Sequence, residues 1–496
     1  MMGAARPGPR FCNPRGPAVF HKGMRPTQRT PFLLAIGVLA LACDGGGPAS
    51  PGDPDDGNPP AGQLVILWDG RTIDWGADET LRAEIGGEPA EVEWRSLSDQ
   101  YLGQPVELGR GATTMTAPLR PGTTIVEARI LSGGVVAASD TVQVTVRYRE
   151  SWNMTLEGRL AYAGESVGDV WVSDGHAFVA RRHAGGISIV DLDGGIREVG
   201  RFTAPGMFTQ DLVVEDGVAY ITNETSVYPF SVTALDVTDP ANPRVLGGVP
   251  TADTGVAHTV WLDGSLLALA SQVTDAIHLY DVSDPSAPVA LSTIHATNAT
   301  AHDIHVRDGM LFGSYMGLHG DQAAELIVAT VADPAHPAVL ARVHYPDAIL
   351  THSSWLTSDG RYLYVTDEIV NAPIRIFDVA DISRPVLVGT YQPRLGTIPH
   401  HFHVRDGRFA YLSHYKHGVE VVDVSDPLRP RLVGFYDTHP GAAADVEPSW
   451  TGSLSLSHEK EGFLYEGVWG VDWTDDGRIV ASDMNQGLFV FRYTGS

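Results

Sequence analysis

Cysteine is nearly absent: the 496 residues hold two, Cys12 and Cys43. A disulfide framework and a thiolate metal cluster are both excluded as organising principles. Basic residues are scarce as well. Against 60 Asp and Glu there are 34 Lys and Arg, a formal charge of −26, so a phosphate backbone is repelled and nucleic acid is excluded as a partner. No Gly-x-Ser-x-Gly elbow, P-loop or His-Glu-x-x-His pair occurs, which removes the sequence support for nucleophile-elbow, nucleotide-binding and zincin chemistry. What is present is 43% hydrophobic and 19% charged, with 54 Gly and 33 Pro. That is a globular composition tilted toward turn-rich all-β structure, in a chain too long for one compact core.

The first segment reads as an export signal. Arg25 and Arg29 precede the apolar run Pro31–Ala42, which is too short to span a bilayer and has the form of a signal-peptide core. Met24 is the more natural start for such a peptide. Ala40-Leu41-Ala42-Cys43 resembles the bacterial lipobox, with Ala at a first position where Leu is commoner. The resemblance implies lipidation of Cys43 and an exported protein anchored to a membrane of the cell envelope, on its periplasmic face or at the cell surface. Residues 1–43 are then the lipoprotein signal peptide. Residues 44–61, rich in Gly, Pro and Asp, form a flexible tether with nothing to bury.

Residues 62–149 alternate with the period of half-buried strands, as in Leu81-x-Ala83-x-Ile85, Val92-x-Trp94, Val126-x-Ala128-x-Ile130 and Val142-x-Val144-x-Val146. Trp94 in mid-strand and the turn Leu119-Arg-Pro-Gly122 resemble the bacterial Ig-like modules of surface proteins, without the antibody disulfide. The resemblance implies a small β-sandwich used as a spacer.

From residue 150 to the end the chain repeats itself. Asp174-Gly175, Asp216-Gly217, Asp263-Gly264, Asp308-Gly309, Asp359-Gly360, Asp406-Gly407 and Asp476-Gly477 each sit between apolar strands, a hairpin signal that favours type I′ turns with positive φ at both residues. A further strand follows each, ending in such runs as Asp236-Val-Thr-Asp-Pro, Asp281-Val-Ser-Asp-Pro and Asp423-Val-Ser-Asp-Pro. A repeat of this length built from short strands and turns predicts an all-β, seven-bladed β-propeller over 150–496. The strand motif is similar to that of the LVIVD-repeat proteins of bacterial and archaeal envelopes. The fourth copy departs from it at Thr330 and the seventh at Arg492. The seventh lacks a fourth strand, which the segment near Met154–Ala161 can supply to close the ring.

Aligning the copies on their first strands places His258, His302, His352 and His400 at one position, with Gly168, Gln210 and Trp469 in the other three. First strands line a propeller's channel, so four imidazoles aim at one region. One expectation is a metal site for Cu, Fe, Zn or Ni. In arrangement alone it is similar to the axial iron site of the carotenoid-cleaving oxygenases, which are also seven-bladed. The other expectation is a set of water-contacting polar side chains that bond the next blade. Ligand candidates at the same mouth are Arg181 and Arg182 beside His183, His319 beside Asp321, Asp367 with Glu368, and His414, Lys416 and His417. Asp169, Asp211, Asp303 and His401 directly follow the channel position. The long insertion Tyr436–Glu466, with His439, Trp450 and His458, is placed as a lid. Two function classes follow: an envelope-anchored binding module for a protein or small ligand at the channel mouth, or a redox or hydrolytic metalloenzyme.

Overall fold

The computed structural model describes residues 59, 62–88, 90–318, 323–440 and 465–495. Cys43 with the apolar run and tether, His319 with Asp321, and Trp450 and His458 lie outside them. Strands make up nearly all regular structure there; the one helix is the single turn Thr251–Thr254. No helix among the described residues is long and apolar enough to cross a membrane.

From Val167 onward the strands fall into successive antiparallel groups of four, in the order first-second-third-fourth. Six groups run in unbroken sequence, from Val167–Phe202 to Phe402–Tyr436. The seventh consists of Val468–Trp473, Arg478–Asp483 and Gly487–Tyr493, and its fourth strand is Met154–Leu160 from the start of the repeat region. From the first sheet to the sixth, each first strand packs against the first strand of the next; Val468–Trp473 packs against Phe409–Ser413 of the sixth sheet and against Val167–Ser173 of the first. The sheets form a closed ring with the first strands innermost.

The repeat motif has a local cause. Asp236, Asp281, Asp378 and Asp423 each accept the backbone N–H two residues on, at 3.0, 2.8, 2.9 and 2.9 Å. The second Asp of the motif repeats the turn at Asp239, Asp284, Asp381 and Asp426. These Asx turns reverse the chain after the buried third strand. The fourth sheet keeps the device with a different residue, since Thr330 Oγ1 accepts the N–H of Ala332 at 3.4 Å. Arg492 of the seventh instead pairs with Glu157 on the strand that closes the ring. The Asp-Gly hairpins are less uniform than expected. Only Asp174, Asp216 and Asp308 join their glycines at positive φ, and Gly407 does not have positive φ at all; at Asp263 the Asp ends its strand and the turn is Gly264-Ser265.

Residues 64–147 form two sheets: Leu64–Leu67, Thr80–Ile85 and Thr113–Met115 in one, and Thr72–Asp74, Val135–Arg147, Gly122–Ser132, Val92–Tyr101 and Gln104–Arg110 in the other. Trp75, Trp94, Leu119 and Val126 are buried between them. That core does not end at the unit's own boundary. Leu432 and Phe435 of the sixth ring sheet belong to it, and Ser151–Trp152 pairs with Phe435–Tyr436 as a fifth strand. Arg394 lies fully buried at the junction, its guanidinium 4.3 Å from the Trp75 ring centre and 3.9 Å from that of Phe435. It donates to Glu420 Oε1 at 2.8 Å and to the His417 carbonyl at 2.6 Å.

Arg394→Ala strands Glu420 in the interior, and removing one partner of such a pair costs about 3–5 kcal/mol. Denaturant unfolding is expected to show a loss of that size. A loss of a few tenths would contradict the central place given to this contact.

Candidate metal centre and acidic channel

Four of the inner strands carry a β-bulge at or beside the aligned position, between Val167 and Val170, Ala301 and Asp303, Thr351 and Ser354, and Val468 and Gly470. A bulge re-aims its side chains, and here it turns the ring of first strands inward. His258, His302, His352 and His400 form a continuous arc, with successive ring centres 4.3, 4.5 and 4.2 Å apart. His401 joins it, 4.1 Å from His400 and 5.2 Å from His352. Gly168 explains why the arc stops short of the first sheet: a Cβ there would fall 2.3 Å from the Gln210 carbonyl oxygen.

These rings are not bathed in solvent. His352 and His400 are 1% and 0% exposed, and the other three are also buried. Burial holds His302, His352 and His401 well below the ordinary imidazole range and takes His400 down to about 3. They are neutral, the form that ligates a metal. His258 differs. Burial opposes its charge, but Glu224, bonded to its Nδ1, outweighs that and raises its pKa.

Bonds to the next sheet exist as well, and they sharpen the site. His400 Nδ1 donates to the Trp469 carbonyl at 2.7 Å, which fixes the tautomer and leaves Nε2 as a bare lone pair. That Nε2 has no hydrogen-bond partner among the described residues, and neither do Nδ1 of His302, His352 and His401. Glu368, from the loop after the second strand of the fifth sheet, reaches His400 Nε2 at 3.9 Å and His352 Nε2 at 4.0 Å. The Tyr415 hydroxyl donates to Glu368 Oε1, the same oxygen that faces His400. Two donor sets result, His352–His400–His401 and His302–His352–Glu368, each with its ligand atoms within 4.8 Å of one another. His352 is common to both.

The remaining sequence candidates divide. Arg181 is buried against Glu165, Arg182 lies over the Trp469 and Phe208 rings, and Lys416 pairs with Glu466 at 3.3 Å. His414 donates Nδ1 to Glu420 at 2.7 Å, and His417 sets its edge against Trp75 at 5.0 Å. Both therefore belong to the Arg394 junction. Asp367 pairs with Arg375.

Further along the same inner strands the channel turns acidic. Asp211 Oδ2 accepts the N–H of Val260 at 2.8 Å in the next sheet, and Asp472 Oδ2 accepts that of Val172 at 2.6 Å. Asp169 and Asp303 complete a set of four carboxylates. Burial raises all of them, Asp303 to about 8 and Asp472 to about 7. They line a cavity of about 260 Å³ whose walls include Trp171, Trp261, Trp355 and Trp473. Asp472, the tryptophans, Glu224 and the Glu368–His contacts were missed in the sequence. An aromatic recurring two or three places after the aligned histidine was the available signal for the tryptophans.

The LVIVD repeat model matches residues 164–192, 356–393 and 406–438, which fall in the first, fifth and sixth sheets. This is a propeller repeat protein. No curated protein matches it as a relative. Among solved structures it is similar to the WD40 β-propeller domain of Doa1, at 10% identity over 68% of this chain and 96% of that one, with a TM-score of 0.49. It is also similar to an inactive variant of virginiamycin B lyase from Staphylococcus aureus with quinupristin, at 12% identity over 68% and 99%, TM-score 0.47. A third is the β-propeller domain of Cps50 (Swd1) from Myceliophteria thermophila, at 13% identity over 68% and 98%, TM-score 0.45.

Asp472 gives a pH prediction. Its folded-state pKa is raised, so the folded protein holds more protons than the unfolded chain above about pH 4, and stability falls as pH rises toward about 7. The buried histidines act oppositely, with stability lost as pH falls below about 6.5. Asp472→Asn removes only the first effect. The melting temperature of the variant minus that of the parent is expected to rise by several degrees between about pH 5 and about pH 8. Parallel curves would contradict the assignment.

Proposed function

We propose that the protein binds a transition-metal ion at the mouth of a seven-bladed propeller spanning residues 150–496, with His302, His352, His400, His401 and Glu368 as the ligand pool. The observation that carries this reading is the pair of buried donor sets that share His352, formed by neutral imidazoles with unpartnered ring nitrogens and by Glu368. Leaving so many buried polar atoms without partners is costly unless something binds them. An imidazole-rich set with one carboxylate suits Zn, Cu, Fe or Ni. His258, tied to Glu224, stands at the edge of the arc and has a lesser share.

In this reading residues 62–149 are an Ig-like β-sandwich. Its shared core with the sixth sheet supports a fixed buttress rather than a loose spacer. Residues 1–43 and 44–61 are the lipoprotein signal peptide and tether, which would hold the propeller at a membrane of the envelope through Cys43. Propeller repeats also serve as protein-interaction modules, and the fold alone is consistent with that. The cavity that His401 lines favours the metalloenzyme over it, because a metal next to a partly open pocket can act on a molecule bound there.

Elemental analysis of the full chain, purified without added chelator, tests this. About one equivalent of a single transition metal is expected. His352→Ala, which breaks both donor sets, is expected to lose it, while His258→Ala retains most of it. A metal-free protein that also fails to take up Zn, Cu, Fe or Ni would leave only the interaction module.

A further inference from the structure

The acidic cavity is a second site, and its chemistry is distinct from that of the histidine arc. Four carboxylates from four sheets face it, among them Asp211 and Asp472, which also latch neighbouring sheets together. Two further polar groups lining it are buried and unpartnered. Ser354, 6% exposed, has no hydrogen-bond partner for Oγ, and His401, 7% exposed, has none for Nδ1. One oxygen of Asp169, 7% exposed, is likewise unmatched. All three residues line a partly open cavity of about 260 Å³.

The rest of the wall is aromatic. Trp171 and Trp261 meet edge to face at 6.2 Å, Trp261 and Trp355 at 5.4 Å, and Trp355 lies 4.2 Å from His403. Trp473 closes the far side. Carboxylates alone would suit a hydrated metal ion, which draws its ligands into a tight oxygen shell. Indoles would suit a neutral apolar molecule. The two together select a cation whose charge is spread over carbon-bearing groups, stabilised by the ring faces and by carboxylates that give up their protons as the positive charge enters.

We infer that this cavity binds a small organic cation, an alkylammonium or quaternary ammonium compound. The inference does not depend on a metal in the histidine arc. His401, which belongs to one donor set and also lines the cavity, would place the bound cation next to that metal where both are present.

Choline, n-propylammonium and the uncharged choline isostere 3,3-dimethylbutan-1-ol are the probes. They are titrated against the chelator-treated full chain at neutral pH, with tryptophan fluorescence and calorimetry as readouts. At least one cation is expected to bind saturably and roughly tenfold or more tighter than the isostere. Asp169→Asn and, separately, Trp355→Leu are each expected to weaken it about tenfold, the first through charge and the second through the ring face. Circular dichroism and melting confirm that each variant is folded before it is scored. His352→Ala is expected to keep cation binding within about twofold, so failure of the metal reading and failure of this one give different patterns. Equal binding of the isostere, no saturable response to either cation, or displacement of the cation by millimolar calcium with calcium bound in its place would each overturn the inference.

Discussion

Ring closure is the constraint on which everything else depends. Met154–Leu160 pairs along Gly487–Tyr493, so the last sheet is finished by the first strand of the repeat region. Until that pairing forms, the seventh sheet has three strands and an open edge along Gly487–Tyr493. Once it forms, residues as far apart as His258 and His400 stand at one level of one channel. The fixed width of the ring brings their rings to within about van der Waals contact. The same closure sets Asp472 of the last sheet against Val172 of the first.

Much of this was legible in the sequence, because the repeat is written in turn chemistry. Asp residues that fold back on their own backbone, and glycines between strands, mark every sheet. The position of the histidines at the start of each inner strand follows by alignment. The closing strand was legible for a related reason: a seventh repeat one strand short needs a partner, and the segment near Met154–Ala161 can supply it.

Other parts could not be read, for physical reasons. The bulges at His302 and His352 are shifts of register between first and second strands, and no residue type announces them. Glu368 and Glu224 come from loops, where an acidic residue is ordinary until distance is known. His414 and His417 sit in a loop of the same kind as Glu368, yet they turn away from the arc, because Arg394, Glu420 and Trp75 claim that side of the sixth sheet. The expectation that imidazoles at a channel mouth remain wet failed for the most instructive reason. His302, His352, His400 and His401 are packed against one another and buried away from bulk water, and desolvation then makes these imidazoles neutral bases.

The channel therefore stacks two opposite polar environments along one axis. The histidine layer is electron-donating and neutral; the layer beyond it is acidic and walled by indole. Both are costly to bury and both suit positive charge, the first a metal ion and the second an organic cation. The most direct measurement is X-ray absorption at the edge of the metal bound to the full chain. Imidazole multiple scattering from three or four nitrogen ligands at about 2.0–2.1 Å is the predicted result. A shell of oxygen ligands without imidazole scattering would contradict the account.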